Sequence, residues 1–280
     1  MTAAASGLLY GANIRANGIR QHYLRFGGTG PALMIVPGIT TAAALWAFVA
    51  ERLCATFDVY VLDVRGRGLS ESGPHLDYSL DACAADVVAF AAVLGLEKYT
   101  LLGHSMGARI GIRAARRHPD AIRQLVLVDP PVSGPGRRAY PIPLEPLMAL
   151  LHAAKRGEAD AALRSPTAPK WPEAHIKVRA EWLHMCDERA IAESYRGFHE
   201  DDIHADLQHL SVPTALMAAG KGGVILPDDE AEIRRLLPSI AFARVEGAGH
   251  QIQVDDIEGF LSTLSDLIGP ESRRPQDRRC

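Results

Sequence analysis

The sequence predicts an α/β fold, a mostly parallel sheet covered by helices on both faces and interrupted by a helical insertion. Three observations carry this. Short apolar runs alternate with segments of helical periodicity along most of the 280 residues, and such alternation builds parallel sheets with two covered faces. The alternation stops between residues 133 and 210 and then resumes. One strand-to-helix junction carries Gly103-His104-Ser105-Met106-Gly107, a G-x-S-x-G pattern that requires a strand turning sharply into a helix.

Taken in order, Ile19 to Phe26 alternates loosely and reads as an early antiparallel strand. Ala32 to Val36 is a short, continuous apolar strand. Ala43 to Ala55 has helical spacing, with Leu45, Phe48, Val49 and Leu53 on one face. Val59 to Leu62 is another buried strand, and Ser79 is placed to cap a long helix over Leu80 to Leu96. Then follow the strand Tyr99 to Leu102, a helix after Ser105, and the strand Leu125 to Val128. Residues 133–210 are polar and helical, punctuated by Pro141, Pro143, Pro146, Pro166, Pro169 and Pro172. So long a stretch needs structure of its own, and it reads as a helical cap over the catalytic edge of the sheet. The pattern returns with the strand Thr214 to Ala218, a helix over Asp229 to Leu237, the strand Ala241 to Val245, and a last helix from Ile257 to Ile268 that Gly269-Pro270 stops. The expected organisation is a core of residues 1–132 and 211–268, a cap of residues 133–210, and a disordered tail over residues 269–280.

Composition bounds the function. Hydrophobic residues make up 48% and charged residues 22%, with a net charge of -3, an ordinary globular balance. No basic stripe points to nucleic acid, and no apolar run approaches the roughly 18 residues of a membrane span. The first five residues lack the basic and apolar parts of a signal peptide. The cysteines, Cys54, Cys83, Cys186 and Cys280, form no C-x-x-C pair, as expected of reduced thiols in a cytoplasmic protein. The expected partner is a small molecule.

The chemistry starts from Ser105. The sharp turn exposes its hydroxyl at a helix N-terminus, and flanking glycines avoid a collision across the bend. A serine hydroxyl needs a base and a group that orients the base. Of eleven histidines, His250 is the one near the end of the last strand, in Gly247-Ala248-Gly249-His250. Two strand ends compete for the acid. After Thr214 to Ala218 come glycines, Gly220, Gly222 and Gly223, while Asp228, Asp229 and Glu230 arrive late and read as the first turn of a helix. Asp129, directly after Leu125 to Val128 and before Pro130-Pro131, is favoured because the other position is empty. For the oxyanion hole, the backbone N–H of Met106 is one donor and that of Ile39 the other, with Thr40 the near alternative. No H-E-x-x-H or similar spacing occurs among the histidines, so no metal and no cofactor are expected.

Together these residues resemble the α/β-hydrolase fold family over about Ile19 to Ile268. Asp63-Val64-Arg65-Gly66-Arg67-Gly68-Leu69-Ser70 resembles the family's loop after its fourth strand, where the role is mainly structural, and no chemistry is assigned to it here. Two departures stand out: Pro37-Gly38 replaces the usual His-Gly, and Gly223 stands where the acid after the seventh strand is usual. Within the family, the segments Ala16 to Gly28 and Val36 to Thr40 resemble the N-formylmaleamate deformylases of bacterial nicotinate breakdown. That group takes its acid from the sixth strand end, which suits Asp129. The resemblance implies a cytoplasmic Ser105-Asp129-His250 hydrolase that converts N-formylmaleamate to maleamate and formate. Rival activities on the same fold are carboxylesterase, enol-lactonase and C–C bond hydrolase, and a non-catalytic receptor is a distant rival. A small carboxylate substrate demands a cationic partner. Arg137, Arg138, Lys155, Arg156, Lys177, Arg179, Arg196, His175, His184 and His199 are candidates, of which one or two are expected to face Ser105. Trp171, Trp182 and Tyr195 are candidate apolar walls.

Overall fold

The computed structural model describes residues 7–166 and 168–269. The expectations for the first five residues, for Pro270 and for the tail with Cys280 lie outside the described residues. Eight strands form one sheet: β1 (Leu8–Ala16), β2 (Ile19–Phe26), β3 (Ala32–Val36), β4 (Asp58–Leu62), β5 (Tyr99–His104), β6 (Ile122–Val128), β7 (Thr214–Ala219) and β8 (Ala241–Val245). Their order is β1-β2-β4-β3-β5-β6-β7-β8. β2 runs antiparallel to β1 and to β4, and every later pairing is parallel.

β1 was not expected from the sequence. Its first four residues, Leu8 to Gly11, are exposed, and the half-buried alternation that marks a strand is confined to Ala12, Ile14 and Ala16, between exposed Asn13 and Arg15. Its turn into β2 is nonetheless written in Asn17-Gly18, with φ values of 50° and 76°, the left-handed pair that a tight hairpin favours.

The core helices are α1 (Ala47–Leu53), α2 (Leu80–Val93) and α3 (Met106–Arg117). A 3₁₀ turn, Ala43–Trp46, takes the first part of the helix expected over Ala43 to Ala55. Ser79 caps α2 by accepting from Ala82 N. α2 ends three residues before the expected Leu96. Gly95 adopts φ 65°, and Leu96 N and Gly95 N donate to Ala91 O and Ala92 O at 2.9 and 3.2 Å, a left-handed terminator that satisfies the last carbonyls. Parallel strands divide their side chains between two apolar layers. Met34 and Leu101 enter one, while Leu33, Ile35 and Leu102 enter the other.

Between β6 and β7 lie α4 (Leu144–Lys155), α5 (Ala159–Leu163), α6 (Glu173–Trp182), α7 (Glu188–Glu200) and α8 (Ile203–Leu207). α6 packs on the 3₁₀ turn, and α8 packs on α3 and on α9 (Pro227–Leu236). Arg109 of α3, buried, donates to Pro131 O and Ser133 O at 2.8 and 2.9 Å, and to Gly197 O and Asp201 O at 3.0 and 2.8 Å. One guanidinium thus ties the end of α7 to the sheet's catalytic edge. α10 (Ile252–Asp255) and α11 (Ile257–Leu267) complete the chain. No helix among the described residues is long and apolar enough to cross a membrane.

Candidate active site

β5 lies at the centre of the sheet and delivers Ser105 at its C-terminal end. Ser105 has φ 54° and ψ -118°, a strained backbone for a residue with a Cβ. Its surroundings explain how that is tolerated. A Cβ on Gly107 would lie 1.9 Å from Val36 O, and one on Gly103 would lie 2.2 Å from Gly107 O. Only glycines permit β3, β5 and α3 to close this tightly. The bend is held further by Ser105 N donating to Val128 O at 2.9 Å.

His250 follows β8, and its Nε2 lies 3.0 Å from Ser105 Oγ. Its Nδ1 lies 2.6 Å from Asp129 Oδ2. A carboxylate can only accept, so Nδ1 carries the proton and the Nε2 lone pair faces the serine. Asp129 is fully buried. It also adopts a left-handed φ of 44°, which turns its carboxylate back across the sheet edge. Its N donates to Met217 O at 2.8 Å and its Oδ1 accepts from Ala219 N at 3.2 Å. The other acid position is occupied differently. Asp229 accepts from Leu226 N at 2.8 Å at the start of α9 and pairs with Arg138, and Asp228 is exposed.

The loop around His250 is fixed from two sides. Gly249 N donates to Asp255 Oδ2 at 2.9 Å. His104 Nε2 donates to the His250 carbonyl at 2.9 Å. Burial lowers the His104 pKa to about 3, so this ring stays neutral beside the His250 imidazole.

Ile39 and Thr40 line the cavity beside Ser105. Met106 opens α3, where the first N–H groups have no helical acceptor. Ile39 N likewise donates to no backbone carbonyl among the described residues. Behind them sits Arg67, fully buried. Its Nε donates to Ile39 O at 3.0 Å, and its Nη2 lies 3.5 Å from Met106 Sδ. The same Nη2 reaches Ala190 O at 3.0 Å and Ser194 Oγ at 2.9 Å on α7. The cavity above Ser105 has a volume of about 490 Å³.

Residues 31–179 match the family model of the alpha/beta hydrolase fold. The chain belongs to the α/β-hydrolase fold family. The N-formylmaleamate deformylase of Pseudomonas putida is 56% identical to this hydrolase over 92% of the chain and 96% of its own length. The crystal structure of N-formylmaleamic acid deformylase from Pseudomonas putida S16 has a TM-score of 0.86 at 52% identity, covering 91% of this chain and 100% of that one. A 2-(acetamidomethylene)succinate hydrolase from Mesorhizobium japonicum is 27% identical, over 86% of this chain and 89% of its own.

The hydrolase sorts its candidate cations clearly. Arg137, Arg138, Arg156, Lys177 and Arg196 pair with Glu232, Asp229, Glu158, Glu173 and Glu200. Arg179 of α6 instead enters the Ser105 cavity and has no carboxylate partner among the described residues. It is buried, donates from Nη2 to Thr40 Oγ1 at 2.9 Å, and lies over the Trp171 ring at 5.4 Å. Its Nε finds no partner. Burial lowers its pKa, yet a guanidinium remains charged at neutral pH. Lys221, not among the sequence candidates, also lines the cavity. So does Tyr140, whose Oη lies 3.4 Å from His250 Nε2; no spacing in the sequence pointed to it. His199 accepts from Tyr140 N at 3.2 Å, and His175 packs edge-on against Trp171. Tyr195 packs edge-on against Tyr140 rather than lining the cavity itself, and neither Trp182 nor His184 lines it.

Proposed function

We propose that this hydrolase converts N-formylmaleamate to maleamate and formate with Ser105, His250 and Asp129 as its catalytic residues. The observation that carries the reading is one cavity holding both a serine hydrogen-bonded to an imidazole and a buried guanidinium without a carboxylate. The first suits acyl transfer, and the second suits a substrate carboxylate. The 56%-identical deformylase names the amide substrate; relatives acting on other bonds are far more distant.

Ser105 Oγ attacks the formyl carbon while His250 Nε2 takes its proton. Asp129 holds the imidazole tautomer and stabilises the imidazolium. The N–H groups of Ile39 and Met106 receive the developing oxyanion. His250 then protonates the departing nitrogen, leaving a formyl-serine that water, activated by the same imidazole, cleaves to formate. Arg179 anchors the substrate carboxylate. In this reading residues 133–210 are a cap, residues 1–132 and 211–268 the catalytic core, and the free thiols Cys54, Cys83 and Cys186 suit a cytoplasmic enzyme. Mass spectrometry after incubation with N-formylmaleamate tests it. Wild type should release maleamate and formate, and Ser105→Ala should release neither at a comparable rate. Equal rates for the two proteins would overturn the mechanism.

A further inference from the structure

Tyr140 has no part in the mechanism so far, although its hydroxyl stands beside the reacting atoms. It lies in the stretch between β6 and α4 and lines the Ser105 cavity. Its ring is fixed by edge contacts with Phe198 at 5.1 Å and Tyr195 at 6.2 Å, and its main chain by His199. Burial raises the phenol pKa, so the group is a neutral donor at all working pH values. Its hydroxyl lies 3.4 Å from His250 Nε2, with the Ser105 hydroxyl alongside. That nitrogen has a single lone pair, and Ser105 Oγ is nearer at 3.0 Å. The Tyr140 hydroxyl thus faces two groups, the Ser105 hydroxyl and His250 Nε2, that are engaged with each other before reaction; once Ser105 is acylated and His250 Nε2 is protonated neither accepts well, and a buried donor then needs another acceptor.

The acceptor that Tyr140 meets during the reaction follows from the proton path. When the tetrahedral intermediate collapses, the leaving atom must come within hydrogen-bond reach of His250 Nε2 to collect its proton. Tyr140 Oη already stands at that edge of the imidazole, so it flanks the leaving group. In an N-formylated amide the leaving nitrogen bears a second carbonyl. Cleavage sends the C–N electron pair to nitrogen, from which it spreads onto that second carbonyl oxygen. We propose that Tyr140 is a catalytic residue for the leaving group, its hydroxyl donating to the second carbonyl oxygen of an imide as the C–N bond breaks. The oxyanion electrons reform the formyl C=O on Ser105, the proton on His250 Nε2 goes to nitrogen, and a neutral primary amide departs. Tyr140 keeps its own proton throughout. The site thereby selects N-acyl amides over acyl donors whose leaving group has no such carbonyl.

This rests on the Ser105-His250-Asp129 reading, and the test separates the two. Tyr140→Phe removes one oxygen and keeps the ring. The quantity to measure is kcat/KM for N-formylmaleamate and N-formylbenzamide, both imides, relative to p-nitrophenyl formate. The variant should lower both imide-to-ester ratios by about 10- to 100-fold, somewhat less than the loss of an oxyanion donor, with kcat rather than KM changing. A thermal unfolding curve, with retained ester turnover, reports on folding. Ratios unchanged from wild type, including equal losses on imides and ester, would overturn the role of Tyr140. Wild type turning over N-formylbenzamide but not N-formylmaleamate would sink the substrate assignment alone, and the remaining ratio would still decide Tyr140.

Discussion

Replacing Arg179 with methionine should damage activity and improve stability at once. The guanidinium is buried with one neutral hydrogen bond to Thr40 and no carboxylate. In the free enzyme such a charge is incompletely compensated. Exchanging it for an apolar chain of similar length should gain about 1 kcal/mol net, after the loss of the Thr40 contact. For a protein of this size that raises Tm by about 2–4 °C. In the complex the balance reverses. A substrate carboxylate left buried without its cation costs about 3–5 kcal/mol, and each 1.4 kcal/mol is about tenfold. The expected fall in kcat/KM for N-formylmaleamate is roughly a hundred- to a few-thousand-fold. The methyl ester of the same substrate carries no charge and should lose far less. Steady-state kinetics on acid and ester, with thermal unfolding of the same preparations, checks both numbers and the acid-to-ester contrast. A lower Tm with equal losses on acid and ester would show that Arg179 serves packing, and the anchoring argument would fail.

Two further outcomes follow from the same geometry. Asp129→Asn should fold, because asparagine tolerates the left-handed φ of 44°, but its amide would favour the wrong His250 tautomer; kcat should fall by about 10³- to 10⁴-fold, and near wild-type turnover would remove Asp129 as the orienting acid. His104 is neutral when folded, its pKa lowered by burial from 6.5 to about 3, so below pH 6.5 the unfolded chain binds a proton that the folded chain refuses. That contribution is intact above the unfolded pKa and is lost as pH falls, by about 2 kcal/mol between pH 7.5 and 5. Urea unfolding should show His104→Gln losing correspondingly less than wild type over this interval, and identical slopes would refute the assignment.

Much of this architecture was legible because parallel strands announce themselves. Ala32 to Val36 and Leu125 to Val128 are continuous apolar runs, since both their faces are covered. β1 was less legible, since its alternation runs only over Ala12 to Ala16 and Leu8 to Gly11 show none; the hairpin signal at Asn17-Gly18 was the second readable clue. Within the site, Ser105 and His250 could be named from chain order. Asp129 followed by elimination, because glycines fill the other strand end. Arg179 was visible only as one of seven arginines and lysines, since whether a cation is paired depends on which carboxylates the fold brings near. Arg67 was set aside with its loop as structural. Nothing local reveals that its guanidinium turns inward to the Ile39 carbonyl.

That inward turn has a consequence for how such enzymes diversify. Arg67 grips the Ile39 carbonyl and the Met106 thioether with the same group that holds Ala190 and Ser194. The inserted helices and the wall of the Ser105 cavity share a rivet. A chimera that transplanted a foreign 133–210 segment onto this sheet would unfasten the Ile39 loop as well as reshape the pocket. New specificities should therefore arrive more readily by exchanging side chains on the existing helices than by trading the whole insertion.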